Sequence, residues 1–269
     1  MLNELDTVAK LARKDARHAA ATLGDNQVRF LVDFYYLSQD DRKRANNQTA
    51  ALGKAGEPSL VTGWLAGQAQ VIENQIKCVL DEYTKNHPMG GFMRSVHGIG
   101  PVISAGLLAH IDIEKAPTVG HIWRFAGLDP SQKWEKGKIR PWNAKLKTLC
   151  WKAGQSFMKF HNDEKCYYGH LYRKRKDYEI DRNDRGDNAA LAAELLGKFG
   201  KNTEAYKHLS EGHLPPGQID ARARRYAVKQ FLADLHGEWY RRHYGQEPPM
   251  PYPIAIMGHA HLRTPQIRH

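Results

Sequence analysis

Two glycines separated by one apolar residue offer backbone amides in an arrangement that can bind a phosphate. Gly98 and Gly100 lie directly before an apolar stretch with helical spacing, and Pro101 suits the first turn of that helix. Glycine adopts backbone angles that other residues avoid, so the pair predicts a tight turn with free amides at the positive end of a helix. Ordinary turns share this pattern, so a phosphate site needs support from elsewhere in the chain.

The support is a dense cluster of positive charge further along the chain. Between residues 133 and 159, lysines and arginines alternate with apolar residues and tryptophans, and Glu135 is the single acid. Cations neutralise phosphates and indole rings stack on bases, although a solvated lysine face is the alternative interpretation. The residues predicted to bind nucleic acid in this half of the chain are Gly98, Gly100, Arg124, Lys133, Lys136, Lys138, Arg140, Trp142, Lys145, Lys147, Trp151 and Lys152.

Two later segments also combine cations with aromatic rings. Tyrosines flank a run of four cations between residues 167 and 178, and a helix predicted to begin near residue 214 carries cations at three- and four-residue spacing. Bases can stack on tyrosine, but half-buried tyrosines of an amphipathic helix are an equally good interpretation. The residues predicted to bind nucleic acid in these segments are Arg173, Lys174, Arg175, Arg222, Arg225, Tyr226 and Lys229.

Side chains suited to catalysis are sparse. Cys166 with His170, and His259 with His261, each supply two metal ligands, whereas zinc sites use three or four. Ser131 is an isolated hydroxyl with no evident base, and no phosphate-binding loop or hydrolase motif is present. We therefore predict no metal, no cofactor and no catalytic residue, and a binding protein rather than an enzyme.

The order of the blocks resembles a known family. A Gly-Ile-Gly-Pro turn at residues 98–101, an Ala-Gly-Leu-x-Pro element at residues 126–130 and a basic helix follow one another. The same order is found in the C-terminal half of the insertion-sequence transposases guided by a bridge RNA, and the likeness covers roughly residues 60–160. The segment is also similar to the Nop domain of box C/D ribonucleoproteins, where a helical coiled-coil pair precedes an RNA-binding helical domain.

The end of the chain extends the resemblance. With Ala-Arg-Ala-x-Arg-Tyr-Ala-Val-Lys at residues 221–229 and Pro-Tyr-Pro at residues 251–253, the chain resembles the Tas proteins of TIGR systems. These are small Nop-domain proteins that hold a guide RNA. The resemblance implies a phage or bacterial ribonucleoprotein that directs a guide RNA to target DNA without its own nuclease, and that dimerises through a helical hairpin.

The sequence also departs from the insertion-sequence relatives. They place a nuclease domain before the helical part, whereas this chain begins with predicted helices. They also have a nucleophilic serine shortly after the Ala-Gly-Leu-x-Pro element, where Trp134 or Glu135 stands here. Two alternative functions remain open. One is a serine recombinase-like transposase whose nucleophile is Ser131 or Ser156, and the other is a helix-hairpin-helix protein that binds duplex DNA.

Composition agrees with a nucleic-acid partner. The 269 residues carry a formal net charge of +11, and the mean hydropathy is −0.64. No segment has the length and apolarity of a membrane span or of a signal peptide, and the three cysteines form no Cys-x-x-Cys pair. We expect a cytoplasmic protein of a bacterial or phage-infected cell, with no membrane contact.

Helical periodicity through the chain predicts an all-α fold. A helix over residues 25–52 and another from residue 59 to residue 83, with Ser59 or Thr62 as its cap, are joined by a short break and should form an antiparallel hairpin. We predict a helical or coiled-coil dimerisation region over residues 1–88. A Nop-like RNA-binding domain with the glycine turn, a C-terminal helix and an extended tail follows over residues 89–269.

Overall fold

The chain folds into helices joined by short connections. The computed structural model describes residues 13–249, and this part of the chain contains helices and no strands, which confirms the all-α class. The helices are α1 (Arg13–Ala21), α2 (Asp25–Lys54), α3 (Leu60–Asn86), α4 (Gly90–Ser95), α5 (Pro101–His110), α6 (Val119–Phe125), α7 (Ala144–Lys159), α8 (Tyr167–Asp184), α9 (Ala189–Leu196), α10 (Glu204–Ser210) and α11 (Pro216–Tyr244), with a short 3-10 helix at Ile113–Lys115. None of the described helices has both the length and the apolar composition needed to cross a membrane. The predicted extended tail, with His259 and His261, lies outside the described residues.

Polar side chains fix where several helices begin. The Ser59 hydroxyl accepts a hydrogen bond from the amide of Thr62 at 3.4 Å, so Ser59 is the residue that caps α3. The Asn143 side chain accepts from the amide of Leu146 at 2.9 Å and caps α7. Each cap satisfies an amide that the helix itself leaves without a partner. The second cap matters for the site, because it sets the start of the basic helix.

Two compact units divide the chain. The first contains the described residues up to Ser95 together with Ile99–Asp112, and the second contains Val96–Gly98 and the described residues from Ile113 onward. Helices α1 to α5 belong to the first unit, and α6 to α11 belong to the second. The functional division into residues 1–88 and 89–269 remains a prediction.

The first unit is built on the predicted antiparallel hairpin of α2 and α3. Asp25 accepts from the Tyr83 hydroxyl at 3.2 Å near one end, and the hydroxyls of Thr49 and Thr62 lie 2.8 Å apart near the other. Between them, the guanidinium of Arg42 pairs with the buried carboxylate of Glu73. Apolar side chains fill the space between the helices, so the hairpin has a core as well as polar cross-links.

Helix α5 completes the core of the first unit. It packs against both α2 and α3, and the guanidinium of Arg29 on α2 donates to the carbonyl of Ala109 at 2.7 Å. Most of its residues are buried, including Val102, Leu107 and Leu108. The helix that follows the glycine turn is therefore a core helix, and its apolar sequence is explained by packing.

The second unit is organised around α11. Helices α6, α7 and α8 pack on α11, and the rings of Phe157, Tyr168 and Phe231 form the centre of the core. The Tyr168 hydroxyl donates to the buried carboxylate of Asp234 at 2.8 Å. Residues of α9, α10 and the start of α11 form a smaller apolar cluster. This arrangement places α7, the basic helix, directly against α11.

Candidate nucleic-acid interface

The two glycines of the predicted phosphate turn differ in conformation. Gly98 has φ +93°, and its carbonyl accepts a hydrogen bond from the hydroxyl of Ser156. This left-handed conformation favours glycine, and a Cβ would also lie 3.2 Å from that hydroxyl, a tight contact at the end of α7. Gly100 has φ −85° and ψ 173°, which any residue adopts, so the expected need for glycine there is wrong. Phosphate binding at either glycine remains a prediction.

The Ala-Gly-Leu-x-Pro element fixes the position of a tryptophan. Gly127 has φ +62°, and a Cβ there would lie 2.7 Å from Cγ of Trp142. The amide of Asn143 donates to the carbonyl of Phe125 at 2.9 Å and closes the same loop. The indole of Trp142 can therefore lie against the backbone of Gly127 only because no side chain separates them.

Asp129 in the same element binds the following serine. One carboxylate oxygen of Asp129 accepts from the amide of Ser131 at 2.9 Å and from its hydroxyl at 2.8 Å. Partial burial raises the pKa of Asp129, but the bonds from Ser131 and the charges of Lys229 and Arg124 outweigh burial and hold the pKa below its usual value. The serine hydroxyl is exposed and oriented by a charged carboxylate.

Three tryptophans and two cations line an open groove between α7 and the loop before it. We define the tryptophan groove by its lining residues Trp134, Arg140, Trp142, Ala144, Lys147, Thr148 and Trp151. Its volume is about 570 Å³. The ammonium of Lys147 lies 4.0 Å from the ring centroid of Trp142, and the guanidinium of Arg140 lies 5.2 Å from that of Trp134. Ile139, near the middle of the loop, is 96% exposed.

A smaller cavity adjoins this groove at the contact between α7 and α11. We define the arginine pocket by its lining residues Gly127, Leu128, Lys147, Cys150, Trp151, Gly154, Ala221, Arg224, Arg225 and Val228, and its volume is about 240 Å³. A Cβ on Gly154 would lie 3.2 Å from a methyl group of Val228, so this glycine permits the close packing of the two helices. Lys147 and Trp151 line both cavities.

The cations of the two cavities repel one another. Partial burial lowers the pKa of Lys147, and the charges of Arg225 and Arg140 lower it further. Arg225 keeps much of its side chain exposed, and its pKa is lowered by partial burial and by the charges of Arg222 and Arg224, against the opposing attraction of Glu179. Within the described part of the chain, Lys147 and Arg225 form no ion pair with an acid. A bound polyanion would relieve this repulsion, because each cation would gain an opposite charge.

The pKa of Lys229, which lies one turn after Arg225 on α11, is also lowered. Burial and the charge of Arg225 lower its pKa, against the opposing attraction of Asp129. Its ammonium lies 4.1 Å from the ring centroid of Trp123, and its carbonyl accepts from the indole nitrogen of Trp123 at 3.2 Å. Lys229 is therefore held against α6 by an aromatic ring rather than by an ion pair.

Arg175, Arg222 and Tyr226, which were predicted to bind nucleic acid, belong to a network between α8 and α11. Glu179 is 1% exposed, and its carboxylate lies 2.5 Å from the guanidinium of Arg175 and 3.4 Å from that of Arg222. The guanidinium of Arg175 lies 4.9 Å from the ring centroid of Tyr226. A buried carboxylate needs compensating charge, so these side chains have a structural role. Their contact with nucleic acid remains a prediction.

The remaining predicted cations lie at or near the surface. Arg173 donates to the side chain of Asn162 at 2.8 Å, and Lys138 pairs with Glu135 at 2.7 Å. The predicted residues that are exposed outside the two cavities are Arg124, Lys133, Lys136, Lys138, Lys145, Arg173 and Lys174, and Lys152 is half-buried.

Several residues that line the two cavities are not among the predicted contacts. They include the aromatic or polar side chains of Trp134, Thr148 and Arg224. The available signal was the repeated tryptophan among the cations between residues 134 and 151. Thr148 on α7 and Arg224 on α11 carry no such signal, because only the packing of these helices in the folded chain shows that they line the cavities.

Comparison with known proteins relates this segment to transposases. Residues 91–169, which extend from α4 into α8, match the family model described as "Transposase IS116/IS110/IS902 family". No curated protein and no solved structure matches the chain. The match supports a transposase-related function. Transposases are enzymes of DNA recombination, so the prediction that the protein is not an enzyme is wrong. That prediction relied on missing side-chain motifs, which do not exclude a catalytic role.

The packing of the Trp142 indole against Gly127 can be tested by substitution. We expect Gly127→Ala to lower the free energy of unfolding by about 2–3 kcal/mol, because the left-handed backbone is strained and the new Cβ must displace the indole. Gly137→Ala is the matched control, since Gly137 has a left-handed φ of +90° but open space around it, and it should cost about 1 kcal/mol. Urea denaturation followed by circular dichroism measures both values. Equal losses in the two variants would contradict the contact.

Proposed function

We propose that this transposase-related protein binds a folded guide RNA through its second unit and brings that RNA to target DNA in the cytoplasm of a bacterial or phage-infected cell. The observation that carries the proposal is the pair of mutually repelling cations, Lys147 and Arg225, beside exposed indole rings. Such a surface complements a polyanion that also presents bases.

The resemblance supplies the class of nucleic acid. The family match includes the glycine turn, the Ala-Gly-Leu-x-Pro element and all lining residues of the tryptophan groove, and the bridge-RNA-guided transposases share the first two of these blocks. In RNA-guided proteins, base pairing recognises sequence while the protein binds backbone shape and charge. The two cavities offer lysine and arginine side chains and few other polar groups, which suits contact with a phosphate backbone rather than with particular bases.

The direct test is to purify the protein from cells that carry its native locus and to sequence the nucleic acid that remains bound. We expect a short RNA of defined sequence. The triple variant Arg140→Gln, Lys147→Gln and Arg225→Gln should bind this RNA more weakly. The slope of log affinity against log salt should fall by about 0.7 for each phosphate that the variant no longer neutralises.

A matched control removes the same number of charges from elsewhere in the second unit. Lys198, Lys201 and Lys207 are exposed. Lys198 pairs with Glu194 of α9, and Lys207 pairs with Glu204 of α10. Their triple Gln variant should keep the wild-type slope within about 0.5 of a unit. Equal slopes for wild type and the Arg140, Lys147 and Arg225 variant would contradict the proposed interface.

We also propose that the protein is a homodimer through the hairpin of the first unit. Phe30, Phe34 and Leu37 lie four and three residues apart on α2 and are exposed, which forms an apolar stripe on one face. The variant Phe30→Ser with Leu37→Ser should halve the mass measured by light scattering. Leu60→Ser with Val61→Ser removes comparable exposed apolar groups from α3 and should leave the mass unchanged.

A second candidate function is strand transfer by a serine nucleophile, which the match to a transposase family favours. Ser131 is exposed, follows the Ala-Gly-Leu-x-Pro element and is oriented by Asp129. The hydroxyl of Ser156 is instead bonded to the carbonyl of Gly98, so Ser131 is the better candidate.

This candidate predicts a covalent adduct between the protein and DNA. We expect a band that resists denaturation when protein, RNA and target DNA are mixed, and we expect Ser131→Ala to abolish it. Ser210→Ala changes another exposed serine, whose hydroxyl donates to the carbonyl of Lys207, and should leave the adduct intact. An adduct that persists in Ser131→Ala would eliminate Ser131 as the nucleophile.

A further inference from the structure

We propose that the tryptophan groove holds an unstacked nucleobase of a single-stranded nucleic acid, and that the phosphate beside this base lies between Lys147 and Arg225 in the arginine pocket. This inference rests on the proposed function and deepens it, because it states which part of the bound nucleic acid the second unit recognises.

Trp151 provides the main stacking plane. Its indole is 57% exposed on α7, and within the described residues it has no hydrogen bond, ring contact or cation contact. Lys147 lies four residues earlier on the same face of the helix. A large apolar ring left uncovered beside a cation fits a planar apolar ligand that carries a negative charge.

Trp134, which lies in the loop before α7, provides a second aromatic plane that lines the groove. Its indole nitrogen donates to the carbonyl of Lys138 at 2.7 Å, and Arg140 lies near its ring. The polar edge of this ring is already bonded within the protein and Arg140 lies over one face, so the opposite face is the part available to a ligand. The groove volume of about 570 Å³ suits a nucleobase with its sugar.

The charges next to the rings fit a phosphate rather than a neutral ligand. Lys147 lines both cavities, and Arg225 lines the arginine pocket, whose remaining wall is largely apolar. Burial and neighbouring cations lower the pKa of both side chains, as described above. A base on Trp151 and its phosphate at Lys147 would therefore occupy adjoining cavities that share these two residues.

The arrangement selects single strands. In a duplex, the faces of the bases are covered by their stacked neighbours, so an indole plane cannot reach them. In a single strand, a base can leave the stack and lie against an aromatic ring at low cost. Stacking on a ring does not use the hydrogen-bonding groups on the edge of a base, and these groups distinguish one base from another. The groove should therefore accept different bases.

The experiment compares binding of the full chain to short oligonucleotides of one sequence, as single-stranded RNA, single-stranded DNA and duplex RNA, by fluorescence anisotropy. We expect tighter binding to single strands, and a loss of about 5- to 100-fold for Trp151→Ala and Trp134→Ala. Duplex affinity should stay within about 2-fold, since the rings do not contact duplex. Trp151→Phe keeps an aromatic plane and should recover most of the loss. Phe199→Ala removes an exposed ring elsewhere in the second unit and serves as the control.

The outcomes separate this inference from the proposed function. If guide RNA copurifies with the protein but both tryptophan variants bind single strands as tightly as wild type, the inference is overturned and the proposed function stands. If no RNA binds but single-stranded DNA binds in a tryptophan-dependent way, the proposed function fails and the inference holds. If no nucleic acid binds at all, both are overturned.

Discussion

The contact between the indole of Trp142 and the backbone of Gly127 determines the geometry of the candidate site. It joins the start and the end of the loop that carries Trp134 and Arg140, and it brings the chain back to the cap of α7. The cap in turn sets which side chains of α7 face the loop, including Lys147 and Trp151. The left-handed Gly127 therefore fixes where the loop returns to α7, and the groove depends on the backbone as well as on its cations.

Two arginines from the same cationic row of α11 have different surroundings in the structure. Arg222 and Arg225 both lie on α11, yet Arg222 compensates the buried charge of Glu179, whereas Arg225 faces Lys147. Arg222 is held by its ion pair with Glu179 at the contact of α8 and α11. Lys147 and Arg225 have no ion pair of this kind within the described residues, so their repulsion raises the electrostatic free energy of the unbound protein and a bound anion lowers it.

Much of the fold was predictable from local sequence, and much of the site was not. Apolar periodicity and the cap at Ser59 specify the hairpin of α2 and α3, because both signals act within a few residues. The packing of Gly98 on Ser156 and the position of Trp134 depend on contacts between distant residues, so no local pattern shows them. The error about enzymatic activity came from the absence of familiar motifs, and the family match over residues 91–169 is what corrects it.

The loop between Gly127 and Trp142 is anchored at its ends and open in the middle. Ile139 is almost fully exposed, and the lysines on either side of Trp134 also lie at the surface. Residues that bury little area contribute little to folding, so this segment can diverge rapidly while the helices beneath it stay constant. Related proteins could thus acquire new ligand preferences through a few surface changes, which makes this loop the natural place to compare lineages and to begin engineering.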